Sequence, residues 1–317
     1  MRFLVPLLVG ICVATGSYAQ TDIVLKKKAV GDSVLSTTRE LILPEPFNGQ
    51  KALLALFPGR HYNLPGSYKN EMINWSCPRC KVQNYKDVNE DGPAAFPFAN
   101  GTATRLMNIM DFKDSTGLEY KVISFNHSEF DEDGIQVSRF TGGLLGLAKF
   151  VKTDAGWKLR MYAPAIAAYG AFSQCPTPTP IQIGQDQYAF MMRHANGGPG
   201  GPFFTDYYMI AGNNGTYQQV MAAFGSEKTQ GDPEEGNYSS WTSTYAVPAS
   251  EKKFFRDVLV TLKGNYDLRD IAGFSTDVQA KMKKAGKKAG KFVLVERYVF
   301  KGAKGYELQP DSQLKLN

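Results

Sequence analysis

Three stretches of this chain are built on one plan: an aromatic residue, a lysine, a turn carrying glycine, then an aliphatic or aromatic residue that resumes an extended pattern. They are Phe112 to Leu118, Phe150 to Trp157 and Phe300 to Tyr306. Each reads as a β-hairpin, with Gly117, Gly156 or Gly305 taking a left-handed turn position where a Cβ would clash. The residues that follow alternate polar and apolar, as in Glu119 to Phe125 and Lys158 to Tyr162. That alternation puts the two kinds of side chain on opposite faces of a strand. Local hairpins joined in series make antiparallel sheets, so the chain is expected to be mainly β, or a β-rich α+β protein. The three hairpins are unevenly spaced, which argues against a repeat architecture.

Further strands are expected over Gln187 to Met192, Phe203 to Ile210, Thr242 to Val247, Phe254 to Leu262 and Lys291 to Phe300. Two helices are expected to cover the sheets, one over Thr216 to Phe224 and one from Ser275 to about Ala289. Ser275 is a suitable N-cap, Asp277 sits in the first turn, and lysines gather toward the end. Residues 20–104 read as irregular and loop-rich, above all Arg60 to Asn100, and residues 105–317 as hairpin-rich. The stiff Pro176-Thr177-Pro178-Thr179-Pro180 run makes 175–180 a point where the chain could divide. Of the 317 residues, 43% are hydrophobic and 21% charged. That apolar fraction is too high for a disordered chain, and 4 cysteines are too few for a disulfide-built miniprotein.

The first residues read as a secretory leader. Arg2 supplies a positive start, Phe3 to Ala14 an apolar core of the right length, and Ser17-Tyr18-Ala19 the small residues of a cleavage site after Ala19. The expectation is therefore a signal peptide over 1–19 and a mature chain over 20–317 in the periplasm or outside the cell. Loss of Arg2 takes the formal charge from +6 to +5. No later segment is long and apolar enough to make a transmembrane helix. Such mild basicity in an exported chain points away from nucleic acid. The lysines at 281, 283, 284, 287, 288 and 291 read as the solvated face of the second helix, with an acidic polymer of the envelope as the alternative partner.

Cleavage removes Cys12 and leaves Cys77, Cys80 and Cys175. Cys77-Pro78-Arg79-Cys80 admits three readings: a structural disulfide, a zinc site completed by Cys175 and a histidine, or a redox dithiol. The residues after Cys80 are poor helix formers, which counts against a thioredoxin-like site. Three thiols allow one disulfide and leave one sulfur over. Asp87, Asn89 and Asp91, followed by Gly92, fit the first half of a calcium loop. Position twelve is Phe98 rather than glutamate, so this is not an EF-hand. Glu129 to Gly134 is a looser echo. Both can equally be Asp-Gly turns.

The loop Asn196 to Pro202 is glycine-rich but precedes a strand, which makes it a wide connection rather than a phosphate cradle. Arg193 and His194 stand beside it, and Asp206 lies close to His194 in sequence. Aromatic residues crowd the region from Tyr162 to Tyr245. Most are expected in the core, while any exposed ring could stack on a sugar. No G-x-S-x-G elbow and no H-E-x-x-H occurs. Sequons fall at Asn74, Asn100, Asn126, Asn214 and Asn237. The leading expectation is an exported β-rich protein that binds or builds, without an enzyme activity, partnered by an envelope or extracellular polymer. The alternatives are a metal or thiol-redox protein at Cys77 and Cys80, with calcium or zinc as the metal, and a secreted hydrolase acting on a sugar or peptide polymer.

Overall fold

The computed structural model of the chain describes residues 25–64, 71–89, 92–129, 140–198 and 200–317. The expected leader, Asp91 of the calcium loop, residues 130–134 of its echo and Pro199 of the glycine-rich loop lie outside them.

The first eleven strands are β1 (Lys28–Ala29), β2 (Ile42–Leu43), β3 (Arg60–Asn63), β4 (Glu71–Ser76), β5 (Gln83–Tyr85), β6 (Ala94–Phe96), β7 (Thr102–Lys113), β8 (Glu119–Glu129), β9 (Gly143–Thr153), β10 (Gly156–Ala163) and β11 (Ala168–Tyr169). Nine of them form one sheet in the order β1-β4-β7-β8-β9-β10-β2, with β3 beside β4 and β11 beside β9. All pairings are antiparallel except β1 with β4. β5 and β6 make a small separate hairpin.

The remaining strands are β12 (Thr179–Gly184), β13 (Gln187–Gly197), β14 (Phe203–Asn213), β15 (Thr216–Lys228), β16 (Ser240–Ala246), β17 (Val258–Asp267), β18 (Ala289–Phe300), β19 (Tyr306–Leu308) and β20 (Gln313–Leu316). β12 to β19 pair strictly in sequence order, and β20 returns to β18. The sheet curls back on itself, since a Cβ at Gly305 would lie 2.3 Å from the Val220 carbonyl oxygen of β15. The proline run at 176–180 carries the chain from the first sheet into the second.

The expected mainly β, antiparallel class is what the chain adopts, and all three glycine hairpins form, with φ of +88° at Gly117, +112° at Gly156 and +75° at Gly305. Burial follows the two-residue period. On β8, Ile123 and Phe125 enter an outer core, while Tyr120 and Val122 face the second sheet. On β9, Leu144, Ala148 and Phe150 point outward, and Leu145 and Leu147 point between the sheets. β13 and β14 answer with Phe190, Met192, Tyr208 and Ile210 on the shared layer. Their alternate residues, Met191, Tyr207, Met209 and Ala211, fill a third core inside the curled sheet. Central strands are thus buried on both faces, which is why the alternation near Val122 to Phe125 turns continuously apolar.

Among the described residues two α-helices cover the sheets. α1 (Gly49–Leu56) lies within the region read as irregular. Asn48 caps it by accepting from the Lys51 N–H at 2.9 Å, and Arg39 donates to the carbonyl oxygens of Ala55 and Leu56 at its other end. α2 (Thr276–Lys284) buries Val278 and Met282, one turn apart, and Ser275 caps it as expected. It stops short of Ala289 because Gly286 is left-handed at φ +74° and the chain then enters β18. Lys281 pairs with Asp277 at 2.7 Å on its solvated face.

Three expectations need correction. Thr216 to Phe224 is not a helix but most of β15. The preceding Asn214 and Gly215, at φ +52° and +81°, form a two-residue hairpin turn onto β14, and the tertiary pairing overrides local helix preference. Arg60 to Asn100 is not all loop, since β3 to β6 lie within it. Phe254 stands before, not in, β17. No described helix is long and apolar enough to cross a membrane, which leaves open crossing by strands.

Candidate functional site

Several features that are scattered in the sequence meet at one junction between the sheets. β13 carries His194 directly opposite Asp206 on β14. The turn after β11 reaches His194 from the first sheet, with the Gly170 N–H donating to His194 Nδ1 at 2.9 Å. An imidazole nitrogen that accepts from an amide is unprotonated, so the proton sits on Nε2. Burial holds the His194 pKa below the ordinary histidine value, against the opposing pull of the Asp206 and Asp87 carboxylates. Asp206 is shifted up by the same burial, offset in part by the Gly225 N–H at 2.7 Å, by His194 and by Tyr208.

The first half of the expected calcium loop belongs to this junction too. Asp87 Oδ1 accepts from the Asn89 N–H and from Asn89 Nδ2, both at 2.9 Å, and Oδ2 accepts from the Gly142 N–H at 3.0 Å. Asn89 Nδ2 also donates to the Gly170 carbonyl oxygen at 2.8 Å, and Asn89 Oδ1 accepts from Asn196 at 3.4 Å. Asp87 and Asn89 therefore tie the loop to both sheets, using most of the acceptor capacity a calcium ion would need. Among the described residues no three His, Cys, Asp or Glu side chains gather as a metal site, and Asp91 is not among them.

The turn itself is unusual. Phe172 and Ser173 both have positive φ, at +53° and +47°, a conformation that costs non-glycine residues on the order of 1–3 kcal/mol each. It is held by polar clamps: Asn126 Nδ2 donates to the Ser173 carbonyl oxygen at 2.9 Å, and Asn126 Oδ1 accepts from the Cys175 N–H at 2.9 Å. The ring that this conformation presents, Phe172, is 45% exposed. Phe224 of β15 is 64% exposed, with its ring centroid 6.2 Å from that of Tyr208, which in turn stands edge-on to His194 at 6.0 Å. Phe204 shares a face of β14 with Asp206 and Tyr208, and Phe203 sits on the other face over Gly197. Tyr162, Tyr169, Phe190, Tyr207, Tyr208 and Trp241 are buried, as expected of strand aromatics. Of the exposed rings among the crowded aromatics, Phe224 is thus tied to this junction through Tyr208, and Phe172 through the turn that follows Gly170. Phe224 could not be found while its segment read as a helix; the Asn-Gly turn before it was the available signal.

Cys77 and Cys80 lie elsewhere, at the end of β4, joined as a disulfide. That pairing takes both sulfurs out of the zinc reading. Cys175 is buried between the sheets, its thiol 3.4 Å from the Pro176 carbonyl oxygen and 3.7 Å from Met192 Sδ. The leftover thiol is therefore shielded in the folded chain. Among the described residues no helix begins at the Cys77–Cys80 turn, so it has no helix dipole of the kind that acidifies a thioredoxin-like cysteine. A loop this short also staples weakly: closing it is worth about 2 kcal/mol, against nearly 5 for a loop of about 100 residues. The sequons at Asn74 and Asn126 are buried and could carry no glycan in this fold.

The fold and the junction define a class of molecule, two antiparallel sheets packed face to face with exposed rings where they meet. Comparison with family models, with curated proteins and with solved structures finds no match for this chain.

Proposed function

We propose that this chain is an exported, non-enzymatic binding component of the periplasm or extracellular space, and that it engages an envelope or extracellular polymer through the rings around His194. The observation that carries the reading is Phe172: a large apolar side chain held toward solvent on a turn that is left-handed at two consecutive residues. Conformations this costly persist where surrounding contacts impose them, and they gather at binding and catalytic sites. Exposed aromatic clusters on a soluble surface mark interaction sites in the same way. Flat apolar rings suit the C–H faces of sugar rings, and the neighbouring Asn196 and Asp206 supply hydrogen-bonding groups that orient a polar ligand.

The test is a glycan array and a pull-down on insoluble polysaccharide and peptidoglycan, comparing the native chain with a Phe172→Gly/Phe224→Ala variant. Retention of the native chain and at least tenfold weaker retention of the variant is the expected result. Equal retention of the two would remove the rings from the reading, and release of soluble fragments by the native chain would replace binding with hydrolysis.

A further inference from the structure

The Cys77–Cys80 disulfide borders an open groove of about 480 Å³. Cys80 forms part of its wall, together with Asp32, Ser33, Leu35, Arg79 and Lys81. The turn is tight, with the Cys80 N–H donating to the Cys77 carbonyl oxygen at 3.1 Å, and both cysteines, half-buried, lie against the edge of the outer core. A bond that closes so short a loop adds little chain-entropy stabilisation, yet Cys80 lines an open groove beside two cations. We infer that this disulfide is an exchange site, and that Cys80 is the sulfur attacked by a thiolate entering the groove.

A substrate thiolate attacks Cys80 Sγ, the Cys80–substrate disulfide forms, the Cys77–Cys80 bond breaks, and Cys77 leaves as the thiolate. A second thiolate on the same substrate then attacks the substrate sulfur of the mixed disulfide and releases Cys80 as the thiolate. Two substrate thiols are oxidised to one disulfide, the protein disulfide is reduced by two electrons, and the two thiol protons pass to solvent or to the released cysteines. Arg79 and Lys81 flank Cys80 in sequence and replace the missing helix dipole: they stabilise the negative charge on Cys80 as it leaves, and a leaving thiol of lower pKa departs faster. Two cations against the single Asp32 carboxylate also favour an anionic thiol.

The experiment uses the full chain in glutathione redox buffers, quenched with acid, alkylated and read by mass spectrometry, with near-ultraviolet circular dichroism on the same samples. Cys77 and Cys80 should interconvert between disulfide and dithiol while the native dichroism persists, with the glutathione adduct on Cys80. Buried Cys175 should stay unlabelled throughout. Arg79→Gln/Lys81→Gln should slow exchange about tenfold, since both the electrostatic attraction and the leaving-group stabilisation are lost. Cys77→Ser should accumulate a stable Cys80–glutathione disulfide. A bond that resists glutathione until urea unfolds the chain, a native signal lost on reduction, or an adduct confined to Cys77 would each overturn the inference, and the native-chain measurement does so without relying on any variant.

Discussion

His127 and His194 sit on strands of different sheets, each ringed by aromatic side chains, and they come to opposite ends. His127 lies in the outer core of the first sheet, fully enclosed by Phe57, Trp75, Phe96 and Phe125. A one-way chain of donors fixes it: Trp75 Nε1–H donates to Thr104 Oγ1 at 2.7 Å, the Thr104 hydroxyl donates to His127 Nδ1 at 2.7 Å, and His127 Nε2–H donates to the Pro164 carbonyl oxygen at 2.9 Å. Every polar atom of that chain has its partner inside the fold. His194 has the same neutral tautomer, but its surroundings include exposed rings, a left-handed turn and a glycine-rich loop. Both rings are buried, His194 at 2% exposure, so the difference lies in what surrounds them: packed core around the first, and around the second a turn that presents Phe172 to water.

The largest effect should come from breaking the enclosed region. Trp75→Ala removes a fully buried ring and the donor that starts the chain, and a loss of about 3–5 kcal/mol is expected in urea unfolding. A loss below 1 kcal/mol would contradict the packing described.

Acid should act on the same region next. Burial pushes the His127 pKa down to about 3, below the ordinary unfolded value. The unfolded chain therefore binds the proton first. Stability from this site is complete above about pH 6.5 and declines as pH falls toward 3, by roughly 1.4 kcal/mol per pH unit within that window. Urea midpoints measured from pH 7 to pH 4 should show the slope, and His127→Gln should flatten it.

A smaller effect is expected at the border between the regions. Asn126→Ala deletes both clamps on the strained turn and leaves the Ser173 carbonyl and the Cys175 N–H without those partners, a cost of about 1–3 kcal/mol. Proteolysis within 170–175 should accelerate along with it.

The smallest change in stability is also the sharpest contrast. Phe172→Gly replaces a residue at φ +53° with the one that suits that conformation. Thermal unfolding should show no loss, or a gain of up to about 1 kcal/mol, while retention on polymer falls. A marked loss of stability would mean that the Phe172 ring is packing and not presentation.

Much of the architecture was legible because it is local. A lysine, a glycine turn and alternating apolar residues specify a hairpin within about ten residues, so β7–β8, β9–β10 and β18–β19 could be read directly, as could the Ser275 cap. The failures were of a different kind. Thr216 to Phe224 reads as helical from local preference, and it is the pairing with β14 that makes it a strand. The Cys77–Cys80 pairing was one of several the spacing allowed, since spacing cannot say which sulfurs meet.

What the sequence determined by itself is the class of the chain: antiparallel sheets, few helices, apolar faces on a two-residue period. These follow from dihedral and burial preferences that act between near neighbours. The site was decided by tertiary structure alone. Asp87, Asn89, Gly170, His194 and Asp206 span more than a hundred positions, and nothing local brings them together. They meet because two sheets bury their facing sides against each other, and the edge of that contact leaves Phe172 and Phe224 in water.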